Sequence, residues 1–186
     1  MRKIILMMSV SLDGFFEGPE HELDWQLIDD EIHTHFNDEL GAMSVFLDGR
    51  VTYELMAGYW PTADEDPSST RPMKDFAKIW REMPKIVFSR TMEDAGWNTT
   101  IEREVNVEEI KRLKGQPGGD MVIGGAHLAA TFLRENLIDE YRIYVHPVVI
   151  GEGTPLFPPA ETRIALRLEE THAFASGVVL LRYSVI

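Results

Sequence analysis

Three short stretches of the sequence combine glycine, arginine and hydroxyl side chains in an order suited to binding an anion. They read DGRVT at residues 48–52, SRT at residues 89–91 and GG at residues 124–125. Arginine offers a forked cation that matches phosphate, and glycine lets a ligand approach the backbone closely. Each stretch alone is most simply a turn. The three together predict a ligand that carries several phosphate groups.

The elements around these stretches predict that they meet. Each stretch follows an apolar run typical of a buried strand. The carboxyl ends of parallel strands lie along one edge of the sheet, where open α/β folds bind their ligands. A helix begins directly after DGR and after GG, and its free N–H groups and dipole favour an anion at that edge.

The order of the elements predicts the fold class. Strands alternate with helices first, and strands alone finish the chain, which indicates an α/β fold. We expect a three-layer sandwich, with a mostly parallel central sheet and antiparallel C-terminal strands, and a single domain over residues 1–186. Strands are predicted over residues 3–10, 43–47, 85–89, 99–101, 121–123, 140–149, 163–169 and 178–185, and helices over residues 25–40, 51–57, 73–81, 107–113 and 126–135.

The composition excludes several classes of function. A formal net charge of -13 argues against a nucleic-acid surface. The absence of cysteine excludes thiolate catalysis and cysteine-based zinc sites. The histidines lack ligand spacing, so no metal site is predicted. No segment approaches the ~18 apolar residues that span a bilayer, so we expect a cytoplasmic protein that does not bind membranes.

Longer segments of the chain resemble the dihydrofolate reductase fold. MSVFLDGRVTYE, KIVFSRT and MVIGGAHLAATFL occur in the order and spacing of that fold. The segments SVSLDGFFEG and LIDEYRIYVHPVVIGEGTPLF are more similar to one branch of it. That branch includes the C-terminal reductase domain of bifunctional riboflavin-biosynthesis enzymes. The resemblance extends from Ile4 to Tyr183.

The resemblance implies NADPH as the cofactor. It places Ser89 and Arg90 near the adenosine 2′-phosphate, and an arginine there favours NADPH over NADH. It places other residues near the cofactor phosphates and the nicotinamide: Ser9, Phe16, Gly49, Arg50, Thr52, Gly124, Gly125, Ala126 and His127.

Two carboxylates are candidates for supplying the proton that accompanies hydride transfer. Asp13 lies in SLDG, and Asp30 follows Trp25 much as the helix carboxylate of dihydrofolate reductases follows a tryptophan. The simpler roles are a turn cap for Asp13 and an exposed helix position for Asp30. Candidate substrate contacts are Trp25, Tyr53 and Glu152, for which core packing or a structural role in the glycine-rich bend is the alternative.

The resemblance predicts an NADPH-dependent reductase of a small heterocycle. The substrate is either a riboflavin-pathway pyrimidine, as for 5-amino-6-(5-phosphoribosylamino)uracil reductase, or a dihydrofolate-like pteridine. Met7 stands where the riboflavin reductases usually carry lysine, and DGRVTYE looks more like the folate enzymes, so the choice stays open. A nucleotide-binding dimer without turnover is the alternative, and a phosphate-ester enzyme is a weaker one. A homodimer is expected because the apolar C-terminal strands would otherwise leave an exposed edge.

Overall fold

An eight-stranded sheet divides the molecule, which is described here from a computed structural model covering residues 1–159 and 163–186. The strands lie in the order β5-β4-β3-β6-β1-β7-β10-β9. Their bounds are β1 Ile4–Ser11, β3 Val45–Gly49, β4 Lys85–Phe88, β5 Thr99–Glu102, β6 Met121–Ile123, β7 Glu140–His146, β9 Leu166–Ala173 and β10 Val179–Val185.

The sheet is parallel from β5 to β7 and antiparallel at its C-terminal edge. β1 pairs in parallel with β6 on one side and with β7 on the other. β10 then pairs antiparallel with both β7 and β9. This arrangement confirms the predicted mostly parallel sheet with antiparallel C-terminal strands.

Helices cover both faces of the sheet and complete the predicted three layers. Ile110 of one helix and Phe132 of another pack on the face that carries Ile4 and Leu6. Phe76 and Trp80 pack on the opposite face, against Ile5 and its neighbours. The helices are α1 Asp30–Gly41, α2 Arg50–Ala57, α3 Arg71–Glu82, α4 Val107–Gly115 and α5 Ala126–Arg134, with a 3-10 helix at Trp60–Glu65.

Several boundaries differ from the prediction, and the differences are largest at α1, at β9 and at β7, which ends at His146 rather than at residue 149. α1 begins at Asp30 rather than at residue 25, because the side chain of Asp29 accepts a hydrogen bond from the Ile32 amide and caps the helix there. The strand predicted over residues 163–169 lies instead at Leu166–Ala173. Its pairing with β10 fixes this position, and strand pairing is not a local property of the sequence.

A small two-stranded sheet, which the sequence analysis did not predict, joins the two ends of the chain. β2 (Phe15–Glu17) pairs antiparallel with β8 (Thr154–Pro155). Gly153 permits the pairing, because its φ is +149° and a Cβ there would lie 2.1 Å from the Glu17 carbonyl oxygen. The loop after β1 is therefore held against the segment after β7.

Candidate active site

A cavity of about 590 Å³ opens between the sheet and the helices that cover the Ile5 face. We call it the inner cavity. Apolar and aromatic side chains from four helical elements form most of its wall. A predominantly apolar wall with a few polar groups is typical of sites for small organic ligands. The main wall residues are Phe36, Leu55, Met56, Trp60, Phe76 and Trp80.

The polar groups of the inner cavity come from the ends of neighbouring strands. Ser9 lies near the end of β1, Asp48 near the end of β3, and Gly124 and Gly125 follow β6. Thr52, in the first turn of α2, lies beside them. The strand ends therefore meet at one site, as the parallel sheet requires.

Asp48 is the most perturbed of these groups. Its side chain alternates with that of Leu47, so it shares the cavity face of the sheet with Phe46. It is 5% exposed. Burial raises the pKa of the Asp48 carboxyl to about 7, although the positive charge of Lys85 opposes the shift. Near neutral pH the carboxyl is therefore poised between its two protonation states.

Lys85 is the buried cation whose charge acts on this carboxyl. Its ammonium donates hydrogen bonds to the carbonyl oxygens of Trp80, Met83 (2.8 Å) and Trp97 (3.0 Å). It also lies 4.1 Å from the ring centroid of Trp80. Burial lowers the pKa of Lys85 to about 8, and the charge of Asp48 opposes that shift. Lys85 thus holds the end of α3 while adding positive charge behind Asp48.

The Gly124–Gly125 pair forms a tight corner between β6 and α5. Gly125 has a φ of +84°, and a Cβ on it would lie 2.3 Å from the Thr52 hydroxyl oxygen. Its amide donates to the sulfur of Met8 at 3.3 Å, a weak acceptor, and to no other atom of the described residues. The corner therefore brings backbone N–H groups at a helix start close to Thr52, which is the arrangement that a phosphate group requires.

The remaining predicted cofactor residues lie outside the inner cavity, in a region that we call the outer edge: Gly49, Arg50, Ser89, Arg90, Ala126 and His127. Arg50 is exposed and pairs with Glu54 one helical turn away, at 2.7 Å. The buried Ser89 hydroxyl accepts hydrogen bonds from the Thr91 and Met92 amides. Arg90 is exposed, and within the described residues its side chain forms no ion pair.

Neither of the two predicted catalytic carboxylates lines the inner cavity. The exposed Asp13 accepts hydrogen bonds from the Ser11 hydroxyl at 2.6 Å and from the Gly151 amide at 2.8 Å. The bond from Ser11 is the main reason that the pKa of Asp13 lies below its usual range. Asp30 lies exposed in the first turn of α1.

The three predicted substrate contacts also lie outside the inner cavity. Tyr53 is buried, and its hydroxyl donates to the Gly96 carbonyl at 2.9 Å. Trp25 packs edge-on against His146, with ring centroids 5.6 Å apart. Glu152 is exposed in the glycine-rich bend. Trp60 is one of several aromatic residues that do line the inner cavity.

Sequence analysis did not single out Asp48 or His146. The histidine is fully buried, and its Nδ1 accepts a hydrogen bond from the Leu27 amide at 3.0 Å. Burial lowers its pKa to about 4, so the ring is neutral at pH 7. No spacing rule identifies either residue, because both acquire their environment from distant segments. Asp48 could have been found only by assigning faces along β3.

The sheet order, the helices on both faces and the ligand edge define an α/β protein of the dihydrofolate reductase-like class. The chain belongs to the family of the RibD C-terminal domain, whose model matches residues 2–180. No helix in the described part of the chain is long and apolar enough to cross a membrane. The described side chains include no cluster of His, Asp and Glu suited to a metal ion.

Proteins of known sequence or structure are similar to almost the whole of this chain. The uncharacterized protein YyaP of Bacillus subtilis strain 168 is 39% identical over 183 residues, covering 98% of this chain and 94% of YyaP. YwjB of the same organism is 29% identical over 182 residues, covering 96% of each chain. A Shewanella sp. PV-4 protein attributed to riboflavin biosynthesis has a TM-score of 0.77 at 21% identity, over 100% of this chain and 99% of its own.

A second structure extends the comparison. The pyrimidine reductase-like protein of Corynebacterium diphtheriae has a TM-score of 0.65 at 13% identity. The match covers 100% of this chain and 92% of the other. At this identity the likeness concerns the fold.

Proposed function

We propose that this protein is an NADPH-dependent reductase of a small heterocyclic substrate. The observation that carries the proposal is that the inner cavity and the outer edge are continuous. Ser9, Thr52 and the Gly124–Gly125 corner line the inner cavity and also belong to the strand ends that the outer edge extends. A dinucleotide that follows the outer edge would therefore reach the cavity mouth with one end.

The residues present fit such a cofactor. The Gly124–Gly125 corner leads directly into α5, whose free N–H groups at the helix start suit a pyrophosphate. Arg50 and Arg90 provide exposed cations for the other phosphates, with Arg90 assigned to the 2′-phosphate. Bound NADPH would supply the hydride. The chain's own part is to hold the substrate ring flat between aromatic side chains and to exclude water.

The proposed substrate belongs to one of two classes, the aminopyrimidines of the riboflavin pathway or the dihydropteridines. Both are flat heterocycles that match the aromatic wall of the inner cavity. Met7 lines the cavity, so a methionine rather than the lysine of the riboflavin reductases faces the bound ring. Loss of that cation favours a substrate without a phosphate at this position.

Two measurements test the reductase. NADPH binding is followed by quenching of tryptophan fluorescence, and oxidation by loss of NADPH absorbance with a panel of aminopyrimidines and dihydropteridines. We expect tighter binding of NADPH than of NADH, and oxidation with at least one class. Absence of NADPH binding would refute the proposal.

A nucleotide-binding protein without turnover is the second candidate. The observation that favours it is the position of Asp13 and Asp30, neither of which faces the inner cavity. Tight NADPH binding with no oxidation across the whole panel would select this candidate over the reductase.

A homodimer is proposed in addition. β9 is an edge strand whose side chains are all exposed, and it presents Leu166 and Leu168. Val185 on the neighbouring β10 is 39% exposed and extends this apolar patch. An exposed apolar edge is a ready pairing surface. Light scattering at micromolar concentration should give twice the monomer mass, and a monomeric mass would contradict the proposal.

A further inference from the structure

Asp48 occupies an unusual position for an acid. Among the described residues that line the inner cavity it contributes the single carboxyl group, and most of its neighbours there are apolar. A buried carboxyl is ordinarily held by protein hydrogen bonds. The described residues provide none to the Asp48 oxygens, and the interaction that acts on them is the charge of Lys85. The carboxyl is thus available to a ligand.

The surroundings of Asp48 place it beside a bound ring. A Cβ on Gly124 would lie 3.8 Å from an Asp48 carboxyl oxygen, so the acid lies at the corner assigned to the cofactor. Phe46 and Val122 flank it on the same face of the sheet. A ring held against these side chains would have its edge within reach of the carboxyl.

Other titratable groups face the inner cavity but are less suited to act on the ring. They are His33 on α1, Tyr59 after α2 and Tyr144 on β7. Burial lowers the pKa of His33. The hydroxyl of Tyr144 is engaged with His35 at 3.0 Å. Lys85, on β4, has its three hydrogen bonds filled by carbonyl oxygens. Asp48 differs from these groups because it lies at the strand ends, beside the Gly124–Gly125 corner, and the described residues donate no hydrogen bond to it.

We propose that Asp48 is the acid that contacts the substrate and donates the proton during its reduction. The protonated carboxyl hydrogen-bonds a ring nitrogen or oxygen of the heterocycle. As the carbon of the C=N or C=O bond gains a hydride from the reduced nicotinamide, the π electron pair moves to the nitrogen or oxygen. An N–H or O–H bond forms there while the O–H bond of Asp48 breaks.

The step balances without a further reactant. With bound NADPH supplying the hydride, the substrate would gain that hydride and the Asp48 proton, and the carboxylate would regain a proton from water. Lys85 stabilises the carboxylate in the interval, because opposite charges attract strongly in a buried site. The proton-transfer step rests on the proposed reductase function, whereas the contact between Asp48 and a bound ring does not.

The contact can be tested without turnover. Quinoxaline is a flat heterocycle with two ring nitrogens that accept hydrogen bonds and with no group that titrates between pH 5 and 9. Naphthalene has the same shape and no acceptor. Equilibrium dialysis gives the affinity of each at pH 6 and pH 8, for the wild-type protein, for Asp48→Asn and for Asp38→Asn, which removes an exposed carboxyl on α1.

We expect quinoxaline affinity for the wild-type protein to fall about tenfold from pH 6 to pH 8, because only the protonated carboxyl donates and its pKa is about 7. Naphthalene affinity should not change, and Asp38→Asn should behave as the wild type. Asp48→Asn should remove the pH dependence. Failure of quinoxaline to bind, or a pH-independent affinity, overturns the proposal. An equal fall for naphthalene does so too.

Infrared spectroscopy supplies an independent measurement. The wild-type protein should show a protonated carboxyl band that titrates near neutral pH, shifts on addition of quinoxaline and is absent from Asp48→Asn. If that variant does not fold, Asp48→Ser serves the same purpose. A band that quinoxaline leaves unchanged overturns the proposal. These results separate it from the reductase function, which fails if NADPH does not bind or is not oxidised.

Turnover adds a last measurement for any heterocycle of the panel that is reduced. Asp48→Asn should lower kcat by about 10²-fold or more, as expected for loss of a general acid. The wild-type rate should fall as pH rises through about 7. A wild-type rate and profile in Asp48→Asn would show that the proton comes from elsewhere.

Discussion

The inner cavity and the outer edge are neighbours in the fold, but they are built in different ways. The outer edge consists of short runs of consecutive residues at strand ends, with exposed cations at Arg50 and Arg90. The inner cavity consists of side chains brought together from five strands and several helices, with a buried acid at Asp48. Local sequence is enough to make the first region, and packing is needed to make the second.

The difference extends to electrostatics. Charges on the outer edge face water, so solvent and salt screen their interactions. In the inner cavity Asp48 and Lys85 are removed from water, and burial moves the pKa of the acid up to about 7 and that of the amine down to about 8. Binding at the outer edge should therefore depend on salt, whereas chemistry in the inner cavity should depend on pH.

The largest effect is expected at the corner that joins the two regions. Gly125→Ala forces a side chain into a backbone with φ of +84° and against the Thr52 hydroxyl. Strain of this kind amounts to about 1–3 kcal/mol before the clash is added. We expect a lower free energy of unfolding in urea and loss of NADPH binding.

Gly96→Ala is the matched control for this substitution, because a Cβ at Gly96 meets no atom within 4 Å. Combining Thr52→Ala with Gly125→Ala should recover part of the lost stability by removing the clash. A Gly125→Ala protein with wild-type stability and binding would show that the corner is not the constraint we describe.

The outer edge should discriminate between cofactors. Arg90→Ala removes an exposed cation from the assigned 2′-phosphate site and should weaken NADPH binding by about 10- to 100-fold, in keeping with a charge-assisted hydrogen bond. NADH binding should change little. Fluorescence titration with both cofactors measures this, with Arg112→Ala on α4 as the control. Equal losses for NADPH and NADH would contradict the assignment of Arg90.

The buried acid of the inner cavity should make the free energy of unfolding depend on pH. The folded-state pKa of Asp48 is raised to about 7, above the ~3.9 of an unfolded chain. Between these two pKa values the folded state holds a proton that the unfolded state has lost. The free energy of unfolding therefore falls as pH rises, and this contribution to stability is gone once pH has passed about 7. Between pH 5 and 7 the slope approaches about 1.4 kcal/mol per pH unit.

Asp48→Asn should remove this component. The difference in unfolding free energy between wild type and variant, measured in urea at several pH values, should shift in favour of the variant as pH rises. Lys85, with a pKa of about 8, stays mainly protonated over pH 5–7 and does not confuse the comparison. A constant difference across that range would mean that Asp48 is ionised as in water.

The smallest effect concerns the ion pair on α2. Glu54 pairs with Arg50, and under the proposed function it would compete with a cofactor phosphate for that side chain. Glu54→Gln should release Arg50 and raise NADPH affinity by about twofold, since exposed pairs one turn apart are weak. Asp75→Asn breaks the corresponding Arg71–Asp75 pair on α3 and is the control. Weaker NADPH binding in Glu54→Gln would show that the pair positions Arg50 rather than occupying it.

The sequence by itself determined that the sheet is mostly parallel and that the residues of the outer edge lie at the ends of its strands. Apolar runs mark β1, β3, β4 and β6, and the residues that follow each strand are adjacent to it in the chain. A parallel sheet then brings those ends together, whatever the details of packing. The bounds of α1 and β9 were harder to predict from the sequence. A side-chain cap sets the start of α1, and pairing with β10 sets the position of β9.

Only the tertiary structure decided which acid faces the inner cavity. Asp13 and Asp30 stand in the more suggestive motifs, yet one is tied to the segment after β7 and the other faces solvent. Asp48 stands inside an anion-binding pattern that gives a carboxyl no role. Its burial, its access to the inner cavity and its interaction with Lys85 arise from elements far apart in the chain. A pKa depends on that surrounding, which no local pattern contains.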